Sequence, residues 1–200
     1  MIKLLLATNN RGKLIELRSL LSGLDFILLS PEQVGLDLKV KETGTSYHEN
    51  AVLKAKEFAE AAKLWSLADD TGLEVEVLDG APGLYSARYA PQDEATDQDR
   101  RVFLLQNLKQ KPRPWKAAFR CTVALCGPDG TVLTEEAICP GQIIPEERGA
   151  GGFGYDPIFL LTETGSTMAE LDIENKNQLS HRGKAVRKMI PHIEELVTNA

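Results

Sequence analysis

Apolar residues open the chain as an unbroken run, Ile2 to Ala7, and then change period. Thr8-Asn9-Asn10-Arg11-Gly12-Lys13 interrupts the run, after which Leu14, Leu17, Leu20 and Leu21 recur at helical spacing. This pattern predicts a strand, a polar turn and a helix. Leu24 to Leu29 reads as a second strand, stopped by Ser30-Pro31. Ser46 stands three residues before Glu49 as in a capping box, and Ala51, Ala55, Phe58, Ala59 and Ala62 follow as an apolar stripe. A helix over about 47–63 is expected. Trp65 to Ala68 is a short apolar run ending at Asp69-Asp70-Thr71-Gly72, and Leu73 to Leu78 alternates with Glu74 and Glu76 as a half-buried strand does.

Further along, Gly80-Ala81-Pro82-Gly83 reads as a loop, and Thr96 caps a helix expected to reach Leu108. Ala117 to Cys126 and Thr131 to Ile138 flank Gly127-Pro128-Asp129-Gly130 and predict a hairpin. A glycine-rich turn over 149–156 precedes the apolar run Pro157 to Leu161. Ser180 begins a last helix carrying Val186, Met189, Ile193 and Val197, which Pro191 is expected to kink. A β-loop-α start asks for parallel pairing and the hairpin for antiparallel pairing. A mixed α/β sheet is therefore favoured over a purely doubly wound fold.

Composition narrows the function more than the fold. Two hundred residues, 42% hydrophobic and 26% charged, suit one domain or two lobes sharing a core. A net charge of −6 argues against a nucleic-acid polymer as partner, but leaves room for a small phosphorylated ligand in a local basic pocket. Cys121, Cys126 and Cys139 lie in strand-like runs without CxxC spacing and are expected as buried, reduced thiols. No apolar run has membrane-spanning length and no signal-peptide layout is present, so no membrane partner and a cytoplasmic location are expected.

Four clusters carry candidate chemistry. The turn from Thr8 to Lys13 directs helix N–H groups and the side chains of Asn10, Arg11 and Lys13 at one point, which suits phosphate. It lacks P-loop spacing and serves equally as a plain link between strand and helix. Glu42, Asp69 and Asp70 are carboxylates beside predicted elements, placed to hold Mg²⁺ or else to make turn contacts. Neighbouring aspartates on an extended segment point opposite ways, so one is expected at the site and the other in structural bonds. In Gly151-Gly152-Phe153-Gly154-Tyr155-Asp156-Pro157, glycines allow close approach to a ligand, while Phe153 and Tyr155 offer aromatic faces to a base or pack in a core. Lys176, His181 and Arg182 bracket Ser180; cations in the first turn of a helix oppose its dipole, which a bound anion or base carbonyl relieves.

Together these stretches, with Glu49-Asn50-Ala51, Lys54-Ala55, Tyr85-Ser86-Ala87-Arg88-Tyr89 and Ser180-His181-Arg182-Gly183, resemble the inosine triphosphate pyrophosphatase family over nearly the whole chain. The family's S/T-x-N-x-x-K motif is met by Thr8, Asn10 and Lys13. The resemblance implies an elongated mixed β-sheet with flanking helices, two lobes around a central nucleotide-binding cleft, one domain over residues 1–200, and a homodimer. It implies Mg²⁺-dependent hydrolysis of ITP, dITP or XTP to monophosphate and pyrophosphate. It assigns Mg²⁺ to Glu42 and Asp70, proton acceptance to Asp70, and a catalytic place near the phosphates to Lys54. Phosphate contacts fall to Thr8, Asn9, Asn10, Arg11, Gly12 and Lys13. Phe153, Gly154, Tyr155, Asp156, Lys176, His181 and Arg182 match positions that hold the base and sugar in the family, and Thr71 matches a substrate contact. Thr71 stands where many members have Ser and keeps the hydroxyl, while the stretch Asp172 to Lys176 departs from the usual pattern. A pyrophosphatase for other or standard triphosphates, and a nucleotide-binding module without catalysis, are the alternatives.

Overall fold

A computed structural model of the chain describes residues 2–198; the side chains of residues 197 and 198, and so the expected apolar position Val197, lie outside the described ones. Strand β1 (Ile2–Leu6), helix α1 (Arg11–Leu20) and strand β2 (Phe26–Leu29) form a right-sized parallel crossover, with Ile2 opposite Phe26 and Leu5 opposite Leu29. Helix α2 (Tyr47–Ala62) starts where expected: the Ser46 hydroxyl accepts from the Glu49 amide at 3.1 Å, and Glu49 itself accepts from the amide and hydroxyl of Thr45.

Strand β3 (Trp65–Val75) corrects the reading of two short segments separated by a turn. It is a single 11-residue strand that runs straight through Asp69-Asp70-Thr71-Gly72, and a 3₁₀ turn over Glu76–Leu78 replaces the expected strand end. Its place between β1 and the later strand β5 (Trp115–Cys126) gives the backbone ladder partners, so the polar residues remain extended. Strand β4 (Pro82–Gly83) pairs antiparallel with the end of β3, inside the stretch read as a loop.

Helix α3 (Asp97–Leu108) carries the capping box of Thr96 and Asp99. Strand β6 (Val132–Ile143) follows β5 through a turn closed by Gly127 N–H on Thr131 O, and extends beyond the expected end at Ile138. Strand β7 (Phe159–Leu160) takes up part of the apolar run Pro157 to Leu161, whose first residues lie in a 3₁₀ turn over Asp156–Ile158. Helix α4 (Ile173–Leu179), capped by Asp172 on the Asn175 amide, was not expected. Helix α5 (His181–Thr198) follows after Ser180 alone and continues through Pro191.

The seven strands form one mixed sheet in the order β2-β1-β3-β5-β6-β7, with β4 against β3. The chain divides into two compact units: one takes residues through Asp70, Cys121–Ala137 and from Arg182 on, the other Thr71–Arg120 and Ile138–His181. In the first unit, Leu4, Leu6 and Leu67 pack with Leu17 and Leu21 and with Val186, Met189 and Ile193 of α5. Leu5, Ala7 and Ala68 face the other way, onto Ala51, Ala55 and Phe58 of α2. With ten residues, α1 is too short to persist in water, and the buried Leu17 and Leu21 hold it. The second unit has its own core, from Leu73 and Val75 through Leu104, Phe119 and Ile158 to Met168. All three cysteines are buried, reduced thiols, and burial pushes the Cys126 thiol up to about 11.

Candidate active site

The alternation of β3 continues past its apolar half and separates the aspartate pair. Asp69 shares a face with Leu67, and Asp70 shares one with Ala68. Asp69 is buried against α1 and α5: Lys13 Nζ lies 2.9 Å from its Oδ2, and Arg182 donates to the same oxygen at 3.1 and 3.2 Å. The other arm of Arg182 donates to Glu16 at 2.5 Å, and the guanidinium is only 2% exposed. Burial alone would push the Asp69 carboxyl up, but Arg182, Lys13 and Lys54 outweigh it and hold the group far below the usual carboxylate range. The Arg182 guanidinium, disfavoured by burial, is held firmly charged by Asp69 and Glu16.

Asp70 meets a different set. Its Oδ1 accepts from Lys54 Nζ at 2.7 Å, and the same ammonium donates to Glu42 Oε1 at 2.7 Å. Asn50 donates to Asp70 Oδ2 at 3.4 Å while its own carbonyl accepts from the Gly44 amide at 2.8 Å, which ties the Glu42–Gly44 stretch to β3. Burial disfavours the Lys54 charge, but Asp70, Asp69 and Glu42 raise its proton affinity overall. Burial also raises the affinity of Asp70, reinforced by the like charge of Glu42 and only partly offset by Lys54.

The amino-terminal turn lies in the same unit. Asn10 caps α1 by accepting from the Lys13 amide at 3.0 Å, Thr8 Oγ1 accepts from the Asn10 amide at 3.2 Å, and Asn9 donates to Leu38 O. Thr8, Asn9 and Asn10 therefore shape the turn. Arg11 and Gly12 open the helix, with no acidic side chain in its first turn to satisfy the dipole. Among the sequence-predicted residues, the first unit thus gathers Lys13, Glu42, Lys54, Asp70 and Arg182.

In the second unit, Asp156 Oδ2 accepts from the Phe153 amide at 2.8 Å and from Lys176 Nζ at 2.5 Å. The Lys176 ammonium also lies 5.0 Å from the centre of the Phe153 ring. His181 stacks on Phe119 at 4.6 Å with rings 17° apart. Thr71 is half-buried on β3. Tyr155 does not share the exposure of Phe153: its ring belongs to the core, burial pushes its phenol up, and its hydroxyl donates to Ser86 O at 2.9 Å.

Gly152 and Gly154 both have positive φ, +69° and +62°. A Cβ on Gly152 would run into the Asp156 carboxylate, whereas one on Gly154 meets nothing within 4 Å. Gly152→Ala is therefore expected to lower unfolding free energy by about 2–4 kcal/mol, against about 1 kcal/mol for Gly154→Ala, which carries only the backbone strain. Denaturant unfolding of the two variants measures the difference, and equal losses would mean that the Asp156 carboxylate yields freely.

Glu16 had no part in the sequence reading, and Asn50 entered it only within the stretch Glu49-Asn50-Ala51, with no role given. Glu16 lies on the i, i+3, i+4, i+7 series Lys13, Glu16, Leu17, Leu20, and an acid on that inward face is the signal that could have found it. Asn50 is a buried amide on the apolar face of α2, next to Ala51. Among the described residues, no group of three or more His, Cys, Asp or Glu side chains gathers as a metal cage.

Known proteins are similar to this chain in sequence and fold. The Ham1 family model matches residues 4–192. The dITP/XTP pyrophosphatase of Geobacter sulfurreducens is 46% identical over 194 residues, covering 96% of this chain and 97% of its own. The dITP/XTP pyrophosphatase of Escherichia coli O157:H7 is 45% identical, covering 95% and 97%. A solved HAM1 protein from Coxiella burnetii superposes with a TM-score of 0.85 at 36% identity, covering all of both chains. With matches of this extent in sequence and in fold, the chain belongs to the Ham1 family.

Proposed function

We propose that this chain is a Mg²⁺-dependent pyrophosphatase that hydrolyses the non-standard purine nucleoside triphosphates dITP, ITP and XTP to monophosphate and pyrophosphate. What carries the proposal is the convergence of Glu42 and Asp70 on one point, marked by Lys54 Nζ at 2.7 Å from each. Two carboxylates with hard oxygen donors fit Mg²⁺, which takes one or two such ligands and completes its shell with waters and substrate phosphates. When bound by Glu42 and Asp70, the ion supplies charge neutralisation at the phosphates and acidifies water.

The protein's own groups supply the remaining steps. Asp70, its proton affinity raised by burial, takes the proton of the water that attacks the α-phosphorus. Lys54 and Lys13, with the N–H groups that open α1, stabilise the negative charge of the departing pyrophosphate. Phe153 offers the aromatic face for the base, with Lys176 and Asp156 setting its surroundings, and Thr71 adds a hydroxyl contact. His181 and Arg182 favour an oxygen at the purine 6-position, Arg182 in part through the contacts that fix it to Asp69 and Glu16. Adenine, with an amine there, would face donor to donor. An unpaired buried donor costs about 1–3 kcal/mol, so a few such mismatches give strong selection. Residues 1–200 act as one catalytic domain, in a cytoplasmic homodimer. Among the described residues no helix is long and apolar enough to cross a membrane.

A product-resolved assay of dITP, ITP, XTP, GTP and ATP, with Mg²⁺ and with chelator, tests the proposal. Pyrophosphate released from dITP, ITP and XTP, lost on chelation and at least about tenfold slower from ATP, is the expected result. In His181→Ala the ratio of dITP to ATP rates should fall. Equal rates on all five triphosphates would favour a pyrophosphatase without base selection, and binding without product would leave a nucleotide-binding module.

A further inference from the structure

Helix α3 grips the glycine-rich loop at a single residue from two sides. The Gly154 amide donates to Asp97 Oδ2 at 2.7 Å, and the Gly154 carbonyl accepts from Arg101 Nη1 at 2.8 Å. Those two groups belong to the peptide planes on either side of the Gly154 Cα. Pinning both fixes φ and ψ at the residue best able to swivel. Phe153 is the next residue back along the chain, so its position follows from that grip.

The grip is itself well anchored. Arg101 also binds Glu147 with two parallel bonds, Nε to Oε1 and Nη2 to Oε2, each at 2.9 Å. Arg100 pairs with the other oxygen of Asp97 and donates to the carbonyls of Ala87 and Ala95, at 3.1 and 2.6 Å. The cap of α3 does not use Asp97, because Thr96 and Asp99 form the capping box. Asp97 is thus free to serve the loop. Burial pushes its carboxyl up, but the Gly154 amide and the Arg100 and Arg101 guanidiniums outweigh this and keep it ionised.

Resting on the proposal that Phe153 receives the base, we infer that Asp97 and Arg101 are positioning residues for the nucleobase: they hold the Gly154 peptide so that the Phe153 ring stands ready before substrate arrives. Preorganisation of this kind lowers the entropy cost of binding rather than the barrier to hydrolysis.

A double-mutant cycle of Asp97→Ala with Phe153→Ala, read as KM and kcat for dITP, tests the inference. Loss of one charge-assisted bond to the loop should raise KM about tenfold in Asp97→Ala, with kcat and the inhibition constant of inorganic pyrophosphate, which has no base, changed by about twofold at most. Asp97→Asn should restore most of the affinity, because its amide oxygen still accepts from Gly154. The double variant should resemble Phe153→Ala alone. Additive effects, or a fall in kcat with KM unchanged, overturn the inference. An unchanged KM in Phe153→Ala would instead sink the placement of the base on that ring. If Asp97→Ala does not fold, Arg101→Gln, which weakens the hold on the Gly154 carbonyl, runs the same cycle with the same outcomes.

Discussion

Asp70→Asn is expected to leave a folded protein with turnover on dITP reduced by about a thousandfold or more, the range that follows if the proposed general base and metal ligand is lost in one step. The change is nearly isosteric, so packing on β3 persists. It also removes a like charge from the neighbourhood of Glu42, and Lys54 keeps the Glu42 carboxylate as its partner. Asn50 still has an oxygen to donate to. Because burial raises the proton affinity of Asp70 in the folded chain, its ionised form does not favour folding, and neutralising it is expected to leave the unfolding midpoint unchanged or slightly higher. Single-turnover kinetics and denaturant unfolding on the same preparation measure both halves. Near-normal turnover would remove Asp70 from the mechanism; a collapse in stability would make it structural.

How far the sequence reveals this site depends on the range of the interactions. Helices α2 and α3 were legible because caps and stripes are local: Ser46 to Glu49 and Thr96 to Asp99 are spans of three residues. The break expected at Asp69-Asp70-Thr71-Gly72 failed for the opposite reason. Local rules read polar residues and a glycine as a turn, but the cations that satisfy Asp69 come from Lys13, 56 residues away, and Arg182, 113 residues away. Nothing near β3 in the sequence announces them. Helix α4 escaped because seven residues, IENKNQL, are too few and too polar to show a stripe, and its buried Lys176 is paired with Asp156, 20 residues back. The alternation argument did hold. Placing the two aspartates on opposite faces needs only that the segment be extended, whatever its neighbours are.

That alternation predicts opposite consequences for the same substitution one residue earlier. Asp69→Asn takes away the carboxylate that Arg182 and Lys13 share, leaving Arg182 its bond to Glu16 and Lys13 its bond to the Asp69 backbone carbonyl. Breaking a buried ion pair from one side costs about 3–5 kcal/mol, because a charge is left without compensation in a dry interior. For a chain of this size the loss corresponds to a fall of about 10 °C in Tm. The pH dependence gives a second signature. The folded-state pKa of Asp69 lies far below its ordinary value of 3.8, so its contribution is fully present above that value. The contribution is lost as pH falls, because the unfolded chain takes up the proton first. Wild-type stability should therefore drop steeply below about pH 4, and Asp69→Asn should show a flatter acid limb, so that the two curves converge toward low pH. Unfolding free energies from pH 7 down to the acid transition measure this. Parallel curves would mean that Asp69 holds no charge-dependent share of the fold.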